Sequence, residues 1–271
     1  MICAALGVAG LDAATAREFV ARLEPLPGRS PRSHAEPGLV LGQLSADPAW
    51  TPGRSASGRR VVFNGQLHNR AALAAEFGQP AATAADLYAA ALDRWEDRAD
   101  EHAIGHYCAV ATMPGADTLR CARSPIEAPP LHFRLHSGGA IAASLPRPLF
   151  WRDPVPRAPN LDRLGRTLLV DFSEAYTGIY RDCLRLPQGA AVVLGGAGWR
   201  EVWRYDLLSR PQIRLKRAAD YVEAARELLD AGVAATLDGA TRPGVLLSSG
   251  LDSPTVAASA LRRLDGAGEV F

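Results

Sequence analysis

Apolar and polar positions along this chain follow two rhythms, and the changes between them mark the predicted elements. Residues 1–10 are almost all apolar and read as a buried strand. Leu11, Phe19, Val20 and Leu23 then fall near helical spacing and predict a helix over 12–24, with Asp12 as its N-cap. Residues 25–38, rich in Pro, Gly, Arg and Ser, read as a loop. Short apolar runs predict strands over 38–46 and 59–63, and Asn64-Gly65 reads as a turn because both residues tolerate positive φ. Helices are predicted over 69–77 and 84–95, and strands over 107–112, 118–122 and 140–143, with Gly115-Ala116-Asp117 at one hairpin. Pro154, Pro156 and Pro159 suggest a connector over 151–160, followed by a helix over 161–171 and a hairpin of 190–194 with 199–205. Many strands with a few helices predict an α+β layered domain.

The rhythm changes again near the end. Residues 217–237 have a helical period carried by Tyr221, Ala225, Leu228, Leu229, Val233 and Leu237. The apolar run Gly244-Val245-Leu246-Leu247 predicts a strand, Ser248-Ser249-Gly250-Leu251-Asp252-Ser253 a small polar turn, and 254–264 a helix. A strand, a small turn and a helix start form a pocket for pyrophosphate, because the free N–H groups and the helix dipole both favour an anion there. Gly250 permits close backbone approach, Pro254 suits the first turn, and Asp252 offers a carboxylate to Mg²⁺. The plainer reading is a strand–turn–helix joint with Ser253 as N-cap. No Gly-Lys-Ser/Thr follows a Gly-rich loop, which excludes a Walker-type site. Residues 268–271 read as the start of a second strand. A parallel sheet with one complete strand cannot bury both faces, so this domain is expected to be incomplete or completed by another polypeptide.

Composition narrows the classes. The 271 residues are 48% hydrophobic with a net charge of +1, so nothing steers the chain to nucleic acid or a membrane surface. No run of about 18 apolar residues exists, and the apolar N-terminus lacks a basic n-region, so neither a membrane span nor a signal peptide is expected. Cys3, Cys108, Cys121 and Cys183 form no Cys-x-x-Cys pair, and the cytoplasm is the expected compartment. His102 and His106 have metal-ligand spacing for a helix, but Gly105 argues against the helix. His132 and His136 flank a strand-like segment and are expected at or near the surface.

Several motifs, taken in order, resemble the asparagine synthetase superfamily. Val62-Phe63-Asn64-Gly65-Gln66-Leu67-His68-Asn69 is similar to that family's Phe-Asn-Gly-Glu-Ile-Tyr-Asn stretch. Leu119-Arg120-Cys121-Ala122-Arg123 with Pro130-Leu131-His132-Phe133 resembles its Leu-Ala-Arg-Asp…Pro-Leu-Tyr-Tyr stretch. Leu184-Arg185-Leu186-Pro187-Gln188-Gly189 and Trp203-Arg204-Tyr205-Asp206 resemble the linker before its synthetase domain. Residues 248–253 look like its Ser-Gly-Gly-x-Asp-Ser pyrophosphate loop with Ser249 in place of Gly. The resemblance implies an N-terminal-nucleophile-type αββα sandwich over 1–205, followed over 206–271 by the start of a doubly wound α/β ATP-pyrophosphatase domain.

In the glutaminase half the resemblance implies Cys3 as nucleophile, Asn64 and Gly65 in the oxyanion hole, and Asp86 on the substrate amino group. Ile2 separates Cys3 from Met1, so Cys3 would have an acylated nitrogen and no amine base. A core hydrophobe is then the alternative role of Cys3. In the synthetase half Ser248, Ser249, Gly250 and Ser253 would hold ATP phosphates, Leu247 would border the nucleotide, and Asp252 would ligate Mg²⁺. The expected function is an ATP-dependent, AMP-forming amide ligase, a macrolactam cyclase of the lasso-peptide or β-lactam synthetase kind, with an inactive glutaminase-like domain. Its substrate would be a peptide or amino-acid derivative. Its partners would be a polypeptide completing the synthetase domain, a precursor peptide and a leader protease. A glutamine-hydrolysing asparagine synthetase and a truncated, non-catalytic partner subunit are the alternatives.

Overall fold

The computed structural model describes residues 1–23, 26–113, 115–152, 157–171, 173, 175–240, 243–264 and 269–270. The chain divides into two units, Met1–Asp206 and Leu207–Phe271. The first unit holds β1 (Ile2–Leu6), α1 (Ala16–Ala21), β2 (Ser30–Glu36), β3 (Leu39–Ser45), β4 (Gly53–Arg54), β5 (Arg60–Leu67), α2 (Arg70–Glu76) and α3 (Ala84–Trp95). After a 3-10 turn come α4 (Ala99–His102), β6 (Gly105–Thr112), β7 (Thr118–Arg123), β8 (His132–His136), β9 (Gly139–Ala143) and a second 3-10 turn at Arg147–Phe150. The unit ends with α5 (Leu161–Leu168), β10 (Leu184–Arg185), β11 (Ala190–Gly195) and β12 (Gly198–Arg204).

These strands form two six-stranded sheets, ordered β10-β8-β9-β1-β3-β2 and β12-β11-β7-β6-β5-β4, with antiparallel neighbours throughout. Successive side chains on a strand point to opposite faces, and this parity builds the layers. Ile2, Ala4 and Leu6 of β1 pack with Val62, Val110, Cys121 and Val192 in a core between the sheets. Cys3 and Ala5, the alternate residues, pack with Phe19 and Val20 of α1 on the outer face of the first sheet. On the outer face of the second sheet Val61, Phe63 and Tyr107 pack with Leu73 of α2 and with Leu87, Tyr88 and Leu92 of α3. Three apolar cores between four layers give the α+β, αββα architecture expected for residues 1–205.

One polar network is buried in the third core. The Asp100 carboxylate, fully buried, accepts from Tyr88 Oη at 2.8 Å, Tyr107 Oη at 2.7 Å and Arg120 Nη2 at 2.6 Å. Arg120 Nη1 also donates to Tyr88 Oη at 2.9 Å and Nη2 to the Asp97 carbonyl at 3.1 Å. Burial, then the Asp100 charge, raise both tyrosine hydroxyls well above their ordinary range. A buried charge tied by several hydrogen bonds fixes α3 and α4 on the sheet more than it adds stability over an apolar core.

Four local readings change. Asn64-Gly65 is not a turn but lies inside β5, where Gly65 pairs with Tyr107. Its φ of +126° is open to glycine, and a Cβ there would lie 2.0 Å from the His106 carbonyl oxygen, so a close strand approach rather than a reversal requires the glycine. Residues 25–38 are not all loop, because Ser30–Glu36 form the edge strand β2, and Pro31 is tolerated on an edge. Asp12 does not cap α1. Its carboxylate accepts from the backbones of Ala14 and Thr15 at 3.0 Å each, making a turn before a helix that starts at Ala16. The 161–171 helix stops at Leu168, and Val170 has a φ of +58°. Pro154 and Pro156 of the expected connector lie outside the described residues.

The second unit contains α6 (Ala218–Leu237), β13 (Gly244–Val245), α7 (Asp252–Arg263) and β14 (Glu269–Val270). β13 and β14 are parallel, with Gly244 opposite Glu269 and Val245 opposite Val270. The predicted strand over Leu246 and Leu247 ends early, and both leucines are exposed. Asp230 of α6 accepts from Ser259 Oγ and, at 2.9 Å, from Arg262 Nη2, both on α7. Among the described residues of this unit only Val233, Ala257, Ser259 and Ala260 are buried. No helix among the described residues is long and apolar enough to cross a membrane.

Candidate functional site

Strand parity assembles the first candidate site. Val62 of β5 faces the inter-sheet core, so Asn64, Gln66 and the following His68 continue along that face toward one end of the sandwich. His106 and Cys108 of β6 and Arg123 of β7 join them, because Val110 and Cys121 on the same strands are core residues. Asn64 Oδ1 accepts from the Met1 α-amino group at 3.2 Å, and the Ile2 backbone N–H donates to Ser144 Oγ at 2.9 Å. The Cys108 thiol donates to the Pro130 carbonyl at 3.8 Å, and burial pushes it up to about 11 against the lowering influence of the Asn64 and Ser144 side chains. Burial also lowers the Met1 amine below its ordinary value. An amine, an amide and a hydroxyl therefore converge on a thiol, but that thiol belongs to the second sheet and is held protonated.

Cys3 does not join them. It lies on the face of β1 toward α1, fully buried, and a Cβ on Gly42 would meet its Sγ at 3.2 Å. Burial raises its thiol far above the range of a working nucleophile. Ile2 occupies the inter-sheet side that Cys3 would need to share with Asn64. A shift of one residue along a strand turns every side chain to the other face, so the extra residue before Cys3 has a geometric consequence as well as a chemical one.

Asp86 is committed elsewhere. Its carboxylate accepts from Thr83 Oγ1 at 2.6 Å, from the Thr83 N–H at 3.0 Å and from the Arg54 N–H at 2.8 Å, closing a capping box at the start of α3. Arg123 is likewise engaged, donating to the carbonyls of Ala128 and Leu186 at 2.6 Å and of Pro129 at 2.8 Å. Burial brings its guanidinium down to about 10. His102 ends α4 while His106 lies in β6, so their spacing is not helical. His106 Nδ1 instead lies 3.1 Å from His68 Nε2, a pair that sequence spacing alone did not reveal. The β5–β6 register is the signal that would have found it, since Gln66 faces His106 and His68 follows two residues later. Among the described residues no three His, Cys, Asp or Glu side chains gather as a metal site.

The second candidate site is the loop between β13 and α7. Ser253 does not cap the helix. Its Oγ accepts from the Ser248 N–H at 2.8 Å and lies 2.9 Å from Ser248 Oγ, while the Gly250 N–H donates to Ser248 Oγ at 3.3 Å. These bonds curl Ser248, Ser249 and Gly250 over the helix start. Leu251 stands at the N-cap position without a side-chain cap, and Asp252 opens the helix, exposed. Among the described residues the N–H groups of Leu251, Asp252 and Ser253 have no partner, as expected of an uncapped N-terminus. Leu247 immediately precedes the loop, two residues beyond the end of β13, and is exposed. Open amides, two hydroxyls and one carboxylate on a twelve-residue helix suit phosphate oxygens and a hard divalent cation.

No protein-family profile matches the chain, and no curated protein matches it. Among solved structures it is similar to the glutamine phosphoribosylpyrophosphate amidotransferase of B. subtilis complexed with ADP and GMP, at 13% identity and TM-score 0.43, over 87% of this chain and 52% of that one. It is also similar to an allosteric regulatory enzyme of purine biosynthesis, at 13% identity and TM-score 0.44, over 88% and 51%. A third likeness is to a glutamine aminotransferase class-II domain protein from Silicibacter pomeroyi, at 17% identity and TM-score 0.38, over 60% of this chain and 73% of that one. The chain thus spans about half the length of the first two.

Proposed function

We propose that this chain is part of an ATP-dependent, AMP-forming amide ligase of the asparagine synthetase type, and that its first unit does not hydrolyse glutamine. The observation that carries the reading is the loop from Ser248 to Ser253, placed between a parallel strand and an uncapped helix with its leading amides open. Leu251, Asp252 and Ser253 offer backbone N–H groups to the phosphates, Ser248 and Ser253 their hydroxyls, and Asp252 a carboxylate for Mg²⁺. ATP with Mg²⁺ would supply an activated carboxylate and pyrophosphate as leaving group. The outward-facing, protonated Cys3 supports the second half of the proposal. The amine would then come from the substrate itself, a peptide or amino-acid derivative closed into a lactam, as in a macrolactam cyclase.

The test is ATP–pyrophosphate exchange by the chain with any partner that co-purifies from its source, alongside glutamine hydrolysis. Exchange that depends on Mg²⁺ and falls at least about a hundredfold in Asp252→Asn, with no glutamate released from glutamine, is the expected result. Glutaminase activity abolished by Cys3→Ala, or exchange indifferent to Asp252, would overturn it.

A further inference from the structure

On the outer face of the first sheet, beside α1 and the Arg147–Phe150 turn, two recesses of about 440 and 240 Å³ share the same three cations, Arg22, Arg147 and Arg157. Arg22 is pre-oriented. Its Nη1 donates to the Phe150 carbonyl at 3.4 Å, its Nη2 lies 4.0 Å from the Glu18 carboxylate, and its guanidinium sits 4.7 Å from the centre of the Trp151 ring. Arg147 and Arg157 are exposed and form no hydrogen bond or ion pair with any described residue. Among the described residues lining the two recesses, three guanidiniums stand against the single carboxylate Glu18. Like charges gathered this way repel each other unless an anion joins them.

The two recesses differ in lining. Polar groups dominate the larger one, whereas the smaller adds Leu145, Pro146, Ile179 and the ring of Tyr180. Guanidinium forks match phosphate oxygens in both geometry and sign of charge. The combined size suits a small organic molecule rather than a macromolecule.

We propose that this recess binds an organic phosphate, its phosphate held among Arg22, Arg147 and Arg157 and its apolar or aromatic body against Pro146, Ile179 and Tyr180. The site belongs to the first unit, whereas the loop of Ser248–Ser253 belongs to the second. Calorimetric titration of the full chain with phenyl phosphate, inorganic phosphate and benzoate tests it. Phenyl phosphate should bind saturably, several-fold tighter than inorganic phosphate and tighter than benzoate. The double variant Arg147→Gln/Arg157→Gln should weaken phenyl phosphate at least about tenfold with an unchanged melting temperature, since both side chains are exposed. Tyr180→Ala should remove the preference for the aryl compound while inorganic phosphate binds as before. Asp252→Asn should leave phenyl phosphate binding intact, which keeps this result apart from the fate of the ligase proposal. Non-saturable binding, equal affinity for benzoate, equal affinity of wild type and the double arginine variant, or loss in Asp252→Asn would each overturn the assignment.

Discussion

In the first unit, alternate residues of β1 enter two different cores, and helices cover both outer faces of the paired sheets. In the second, a helical period just as regular leaves Tyr221 46% and Leu228 71% exposed, and a two-stranded parallel sheet stands where such sheets ordinarily have both faces covered. A sequence pattern states which residues want burial, and only the surrounding layers decide whether they obtain it. The contrast extends to polar groups. Asp100 in the first unit is sealed in a network of two tyrosines and an arginine, whereas Asp230 in the second makes comparable bonds at the surface.

The largest expected effect tests that difference directly. Asp100→Ala strands the buried Arg120 charge and should cost about 3–5 kcal/mol in urea unfolding. Asp230→Ala should leave the same transition unmoved, because solvent replaces its partners. A double variant, Asp100→Leu with Arg120→Leu, should recover much of the loss. If it is as unstable as the single variant, the network contributes attraction rather than constraint.

A glycine from each unit sharpens the comparison. Gly65→Ala places a methyl group 2.0 Å from the His106 carbonyl oxygen at a φ of +126°, and should cost about 2–3 kcal/mol. Among the described residues Gly250→Ala meets only Ser248 Oγ, at 3.5 Å, the end of a short side chain. It should change thermal stability by less than about 0.5 kcal/mol. Equal losses at both positions would mean that the β5–β6 approach is looser than the structure shows.

Acid should likewise act on the first unit, since all six histidines lie there. Burial first, then the nearby Arg123 and Arg185 charges, push His132 down to about 4 from 6.5. The unfolded chain takes up this proton as pH falls through 6.5, while the folded chain resists until about 4. Stability therefore rises with pH across that window, and the group's contribution is level above and below it. His132→Gln should flatten the dependence by on the order of 3 kcal/mol. An unchanged slope between pH 4 and 6.5 would place the titration elsewhere.

Much of this architecture was legible in the sequence because long elements have unmistakable periods. α3 begins and ends at the predicted residues, and α6 within one residue of them. β2 was hidden because its inward positions are Arg32, His34 and Glu36, so its period-2 pattern is charged rather than apolar. Glu36 is bonded there to Arg60 of the opposite sheet and to His34. Asn64-Gly65 misled because turn chemistry and close strand approach select the same residue, and only pairing with β6 separates them. The His68–His106 contact and the three-arginine recess depend on neighbours distant in sequence, which no local rhythm encodes. The order of strand, turn and helix around Ser248, Gly250 and Asp252 was readable because these elements adjoin in the chain, but the strand ends at Val245 and the helix starts at Asp252, two residues earlier than predicted.

The smallest expected effect bears on the proposed role of the first unit. Cys3→Ala exchanges one small buried hydrophobe for another, so it should lower thermal stability by about 1 kcal/mol or less. Native Cys3 should resist iodoacetamide until the chain unfolds, because burial holds the thiol protonated and no solvent reaches it. If the ligase proposal holds, pyrophosphate exchange should be the same in Cys3→Ala and in the wild type, whereas Asp252→Asn abolishes it. A thiol that alkylates rapidly in the folded chain, with glutamine protecting it, would show that β1 turns Cys3 toward Asn64 in solution. The parity of one strand would then be wrong, and with it the proposal that the first unit does not hydrolyse glutamine.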